Sequence, residues 1–481
     1  MLKIVSKIKN FLFSNTSVSQ TVIKNTVWLL SGKTASQLLR AILVIFAARV
    51  LGPASWGAFS YAMSLSAFLL IFTDIGLTAI VTRESAKNQE LSHKYFSTAF
   101  SLKIILISLG VLFVIIGTPY ITNIAETKIL LPAVALMLVF DSLRNFGFAI
   151  SRATQKMQIE ALDEIATNLI IIAFGFYFLS VSPTSLNLTF SYLMGVIAGF
   201  LIIFITFKKY FLNFAVHFDN KIIKALFSAS LPFALASFLG AIMINTDLIM
   251  IGWLRSPDEL GFYSAAQKPV LLLYTIAGLF ATSLFPVLAK AATDKERFRN
   301  ILEKSLAATL SFAIPAAIGG MLLSNQIMTL LFGAQYAPAS AAFQFLLITL
   351  VIIFPSVIIS NSLLAYNEQK NLIAFSAIGA VGNIVFNFLL IPSLGITGAA
   401  ISTVLTQITA NSFIWNKMYR LNNFNFLPRV GKIIFASILM AFAILILKAT
   451  DLPVLADIAI AAVFYIAVLK IQKEEILEKI F

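Results

Sequence analysis

Lys33, Gln37 and Arg40 follow one another at i, i+4 and i+7, with Ser36 beside them, inside an apolar run that extends from 26 to 49. At about 100° per residue they share one helical face. Asp141, Arg144, Asn145 and Arg152 fall within about 100° of arc on another apolar segment. Asp74 closes a third segment in Phe72-Thr73-Asp74-Ile75-Gly76, Asn245 and Asp247 sit midway along a fourth, and Gln267 and Lys268 lie in a fifth. An ionisable group in an apolar helix is costly and marks a solute or ion pathway by default. Bases outnumber acids at these positions, so the chemistry they suggest is electrostatic binding of an anion such as a phosphate or pyrophosphate. Arginine grips such a group bidentately, lysine supplies a movable point charge, and a low dielectric strengthens both. The expected substrate-binding residues are Lys33, Gln37, Arg40, Arg144, Asn145 and Lys268. Asp74, Asp141 and Asp247 are expected to couple an ion or to balance charge. Asp141 and Arg144, three residues apart, also suit a structural pair. Lys103 and Lys304 lie within two turns of a helix end and are expected to snorkel. Asn383, Asn387, Gln407 and Asn411 suit interhelical hydrogen bonds.

Nothing in the chain suggests bond-breaking chemistry. Cysteine is absent, and the two histidines, His93 and His217, are too far apart in sequence for a His-rich metal site. Gly32-Lys33-Thr34 resembles the tail of a phosphate-binding loop, but that motif needs glycine at 27, where Val27 stands. No catalytic residue, metal or cofactor is expected, and a proton or sodium gradient stays open as the driving force.

The elements that hold these side chains must be membrane-spanning helices. Of the 481 residues, 59% are hydrophobic and 12% charged, against about 45–50% and about 25% in soluble domains. Mean hydropathy is +0.93. These values exclude a soluble enzyme, a disordered scaffold and a secreted disulfide module. Fourteen apolar runs can be read between 26 and 470, the fifth beginning at 164, and helices are the structure that satisfies backbone groups in such runs. The net charge of +14 does not point to nucleic acid, because the cations follow membrane topology. With the N-terminus inside, 25 of the Lys and Arg residues fall in inner segments and 4 in outer loops. That bias puts both termini in the cytoplasm. The first residues interleave Lys3, Lys7 and Lys9 with Leu2, Ile4, Ile8 and Phe11, which suits an amphipathic helix on membrane lipid rather than a cleaved leader.

An internal repeat organises the runs. Pro53-Ala-Ser-Trp-Gly57-Ala-Phe59-Ser60 returns 204 positions later as Pro257-Asp-Glu-Leu-Gly261-Phe-Tyr263-Ser264. Both copies follow an odd-numbered run, so the repeats share one membrane orientation, related by a pseudo-two-fold along the membrane normal. The expected architecture is all-α and integral to the membrane. It has an amphipathic segment over 1–24, a six-helix lobe over 25–207 and a cytoplasmic linker over 208–226. A second six-helix lobe covers 227–418, and two extra transmembrane helices fill 419–481.

Arg49-Val-Leu-Gly52-Pro53-Ala-Ser-Trp56-Gly57 and Asp74-Ile-Gly76-Leu-Thr-Ala-Ile-Val-Thr-Arg83-Glu84 resemble the polysaccharide transporter family, the O-antigen type oligosaccharide flippases. So do Leu260-Gly261-Phe262-Tyr263, Leu331-Phe332-Gly333-Ala-Gln-Tyr336 and Ile391-Pro392-Ser-Leu-Gly395-Ile396-Thr-Gly398. The resemblance covers about 25–415 and implies the multidrug/oligosaccharidyl-lipid/polysaccharide exporter superfamily. It implies a flippase that moves polyprenyl-pyrophosphate-linked oligosaccharide across the inner (cytoplasmic) membrane by alternating access. That step would feed O-antigen, capsule or exopolysaccharide assembly beside a polymerase and a chain-length regulator. Alternatives are a peptidoglycan-precursor flippase or a multidrug/cation antiporter of the same superfamily. A membrane polymerase or ligase fits less well, because the outer loops are short and nearly uncharged.

Overall fold

The computed structural model describes residues 18–87, 91–214, 218–450 and 452–472, and among these there is no strand. The elements are α1 (Val18–Phe72), α2 (Leu77–Lys87), α3 (Ser92–Ile121), α4 (Ala125–Ala153), α5 (Met157–Val181), α6 (Ser185–Thr206), α7 (Lys208–Asn213) and α8 (Asn220–Leu254). They continue as α9 (Pro257–Ala291), α10 (Lys295–Leu322), α11 (Ser324–Phe332), a 3₁₀ turn (Ala334–Ala339), α12 (Ser340–Ala365), α13 (Gln369–Asn422), α14 (Leu427–Leu447) and α15 (Val454–Ile471).

Twelve helices among the described residues are long and apolar enough to cross a membrane. Two of them, α1 and α13, run for 55 and 54 residues and break at a glycine. Gly52 has φ 77° and Gly395 φ 58°, in a region that side chains disfavour, so each glycine lets the chain reverse between two spans. Counted as two spans each, α1 and α13 bring the number to fourteen. The chain is an all-helical, multi-pass integral membrane protein. The amphipathic segment expected over 1–24 lies outside the described residues as far as residue 17.

The chain packs as two units. Unit 1 runs to Leu51 and resumes over Ala58–Ala241. Within it, α6 is the shared neighbour of α4 and α5. Gly195 and Gly199 open the surface of α6 to them. A Cβ at Gly195 would lie 2.2 Å from Ile171 Cγ1 and 3.0 Å from the Thr167 carbonyl oxygen on α5. Small residues at four-residue spacing are the usual means of close helix approach in lipid, where apolar burial offers little driving force. The segment 208–226, expected as a linker, holds α7 and the start of α8. Phe211 and Phe214 pack against Phe100, with ring centroids 6.1 and 5.4 Å away, and clamp the end of α7 to α3.

Unit 2 comprises Gly52–Gly57 and everything from Ile242. Helix α12 is its centre, packed on α9, α10 and α13, while α14 rests on α10 and α15 on α14. Helix α9 starts where its residues require: Ser256 accepts from the Glu259 amide at 3.3 Å, and Pro257 fills the first position, where no amide proton is needed. The two copies of the repeat meet here. A Cβ on Gly57 would lie 2.1 Å from the Pro257 carbonyl oxygen, and one on Gly261 2.0 Å from that of Pro53. Both glycines therefore serve backbone-to-backbone contact, a reason for the repeat that its sequence alone does not reveal.

Candidate functional site

The centre of the charged cluster in unit 1 is Arg144, on α4. Its Nη2 lies 2.9 Å from Asp141 Oδ1, and its Nη1 donates to Thr167 Oγ1 at 3.0 Å. Asp163 Oδ2, on α5, is 3.7 Å from Nη1, and the guanidinium stands 5.4 Å from the centre of the Phe148 ring. Gly199 makes the room: a Cβ there would lie 2.3 Å from Thr167 Oγ1 and 3.0 Å from Arg144 Cδ. Arg40, on α1, donates through Nε to Asn168 Oδ1 at 3.1 Å. Asn168 is oriented for this by its own amide, which donates to the Glu164 carbonyl at 2.8 Å. The Glu164 carboxylate is within electrostatic reach of Arg144, Arg40 and Lys33. Gln37 Oε1 is buried and accepts no hydrogen bond.

Lys33, Gln37, Arg40, Arg144 and Asp141 therefore belong to one face of unit 1, but that face is not the excess of base the sequence suggests. Reading the fifth span from 164 leaves Glu160 and Asp163 in a loop. The helix instead begins at Met157, and its first two turns bring Glu160 and Asp163 inside, with Glu164 half-buried beside them. The signal was available, because positions 160, 163, 164, 167, 168 and 171 follow one helical face. Their carboxylates hid it by ending the apolar run. Asp163 was missed on this account. Its side chain is fully buried, and neither of its oxygens accepts a hydrogen bond.

Asp74 and Asn145 belong to a different place, a cavity of about 290 Å³ in unit 1 that Thr78, Lys103 and Arg152 also line. Lys103 does not snorkel. It is buried, and its Nζ lies 2.6 Å from Asp74 Oδ1, while Thr78 also donates to that oxygen. The reason is the partner: a buried ammonium about three turns into a helix is tolerable once a carboxylate faces it. Arg152 is held by Glu160 through Nε at 2.8 Å and through Nη2.

Unit 2 holds Asp247 and Lys268. Lys268 is half-buried on α9. Asp247, on α8, is 2% exposed. Its Oδ1 accepts from Asn383 Nδ2 at 2.8 Å and Asn387 Nδ2 at 2.6 Å. Its Oδ2 accepts from Tyr263 Oη at 2.6 Å and Thr403 Oγ1 at 2.9 Å. Asn383 and Asn387 thus join α13 to α8 through one carboxylate, whereas Asn411 turns back to Gln407 on its own helix at 2.9 Å. Among the described residues no cluster of three His, Cys, Asp or Glu is placed to hold a metal. Unit 2 also has an open cleft of about 700 Å³ whose walls are almost wholly apolar, including Leu272, Phe312, Leu347, Met440, Ile444 and Ala461. It lies among α9, α10, α12, α14 and α15.

Comparison with known proteins places the chain. A family model described as polysaccharide biosynthesis protein matches residues 22–292, and a MatE model matches 232–389. The capsular polysaccharide biosynthesis protein CapF of Staphylococcus aureus is 22% identical over 81% of this chain and 97% of its own length. The "Putative O-antigen transporter" of Shigella flexneri is 25% identical over 79% of this chain and 94% of its own. Among solved structures, the lipid II flippase MurJ in an inward closed conformation superposes with a TM-score of 0.78. It is 24% identical and covers 93% of this chain and 99% of its own.

Proposed function

The chain belongs to the polysaccharide biosynthesis protein family, and we propose that within it the protein is a flippase for polyprenyl-pyrophosphate-linked oligosaccharide. The observation that carries this reading is the charged face of unit 1, where the exposed Arg40 is set by the neutral amide of Asn168, and Arg144 by the Thr167 hydroxyl together with the Asp141 carboxylate. A guanidinium oriented by a hydroxyl or an amide keeps its charge available to an anion. Acids around it limit the net attraction, which suits a carrier that must release what it binds. The apolar cleft of unit 2 suits the polyprenyl chain, whose burial there costs no hydrogen bond.

In this reading the protein is a transporter of the inner (cytoplasmic) membrane, with both termini in the cytoplasm. It works beside the polymerase and chain-length regulator that use its product. Arg40, Arg144, Lys33 and Gln37 contact the substrate's anionic part, and Asp141 tempers Arg144. Asp74, committed to Lys103, and Asp247, saturated by neutral donors, serve to balance charge.

The test is complementation of a strain that lacks its own flippase. Arg40→Ala should abolish surface polysaccharide while the protein reaches the membrane in normal amount. Arg40→Lys should keep part of the activity, because charge survives and the fork is lost. Normal export by both Arg40→Ala and Lys33→Ala would sink the proposal.

A further inference from the structure

We propose that Asp163 is a proton-binding site, and that an anion arriving on Arg144 drives the proton onto it. The first half stands on the geometry of unit 1 alone. The second half rests on the anion-binding reading above.

Asp163 is placed unlike the other acids of its helix. Its side chain has no exposed surface, and no donor reaches either oxygen. Glu160, one turn earlier, is held at both oxygens by Arg152. A buried carboxylate without hydrogen bonds is expensive in its charged form, and the cost falls away when it takes up a proton. The cation that faces it is Arg144, at 3.7 Å, beyond hydrogen-bonding distance and already engaged by Asp141 and Thr167. The other charged groups around it are Asp141 on α4 and Glu160 and Glu164 on α5, all acidic. From α1, Lys33 and Arg40 act on the neighbouring Glu164. Asp163 is thus held in its ionised form by one shared guanidinium against three acids.

That sharing makes a switch. Arginine stays cationic throughout, so the exchange involves one proton and one carboxylate. With Arg144 turned towards Asp141 and Asp163, the carboxylate of Asp163 is balanced. An anion that draws the guanidinium to itself removes the balance and adds negative charge nearby, and a proton then moves onto Asp163. By linkage, a proton on Asp163 strengthens anion binding by the same factor. Thr167 and Gly199 fix the pivot: one holds Nη1, and the other, lacking a side chain, admits the Arg144 chain beside it.

The full-length protein in detergent can be followed by infrared difference spectroscopy between about pH 8 and about pH 5, where exposed carboxylates stay ionised. Wild type should show the carbonyl band of a buried carboxylic acid growing on acidification. Asp163→Asn should lack it, Asp141→Asn should keep it, and Asp163→Glu should restore it at a shifted position. The glutamate variant decides the matter should the asparagine variant fail to fold. Inorganic pyrophosphate added at fixed pH should raise the band in wild type and leave it unchanged in Arg144→Gln. The apparent Kd for pyrophosphate should fall by up to about tenfold per pH unit more in wild type than in Asp163→Asn. The same band in Asp163→Asn, or an unshifted band in Asp163→Glu, would overturn the proton site. A band that depends on Asp163 but ignores pyrophosphate would uphold the site and overturn the exchange. It would do so without touching the complementation result, which tests the flippase reading separately.

Discussion

Asp163 in unit 1 and Asp247 in unit 2 are both buried aspartates on long apolar helices, and they are held in opposite ways. Asp247 accepts four hydrogen bonds, from Tyr263, Asn383, Asn387 and Thr403, and ties three helices together. Asp163 accepts none and shares a guanidinium at a distance. Burial is the same in kind, so burial does not decide what a carboxylate does in this protein. The donors do. A saturated carboxylate is part of the framework, and its removal strands every donor that served it. An unsatisfied one gives the framework little and is poised to change its charge.

Substitutions can break or sharpen that contrast. Asp247→Ala should be the most damaging, leaving four buried donors without an acceptor and costing on the order of 3–5 kcal/mol. Thermal unfolding in detergent measures it, and a variant as stable as wild type would show that the network is not structural. Gly199→Ala comes next. Its methyl group would collide with Thr167 and Arg144, at a cost of about 1–3 kcal/mol, and export should fall because Arg144 is displaced. Undiminished export in that variant would mean that the position of Arg144 is unimportant. Asp163→Asn should change stability by less than about 1 kcal/mol, since no hydrogen bond is lost with the charge. A loss as large as that of Asp247→Ala would erase the distinction between the two sites. Two single cysteines should leave stability untouched while testing the orientation assumed for both sites. In intact cells a cysteine at exposed Asn325 should react with an impermeant thiol reagent, and one at exposed Asn220 should not. Reaction at Asn220 would overturn the topology.

Much of the fold was legible because apolar runs and cation bias are strong, additive signals. Even the breaks in α1 and α13 were marked, by Gly52-Pro53 and by Pro392 with Gly395. The site was legible one helix at a time. Lys33, Gln37 and Arg40 share a face by spacing alone, and Asp141 pairs with Arg144 within one helix. Contacts that depend on which helices are neighbours were not legible. Nothing in the sequence says that Lys103 meets Asp74 across 29 positions, or that Asn383 and Asn387 reach back to Asp247. Asp163 was hidden differently. Hydropathy treats a charged residue as the end of a span, and this helix begins with its charged turns buried.

The central claim is that this protein carries a polyprenyl-linked anion across a membrane by means of the guanidinium groups in unit 1. It is tested most directly with purified protein in liposomes, using a fluorescent polyprenyl-pyrophosphate-linked oligosaccharide and a quencher confined to the outside. Wild type should move label between leaflets, so that nearly all of it becomes quenchable. Arg144→Ala, reconstituted in equal amount, should leave the inner-leaflet half protected, as empty liposomes do. Equal loss of protection in Arg144→Ala and wild type would contradict the claim.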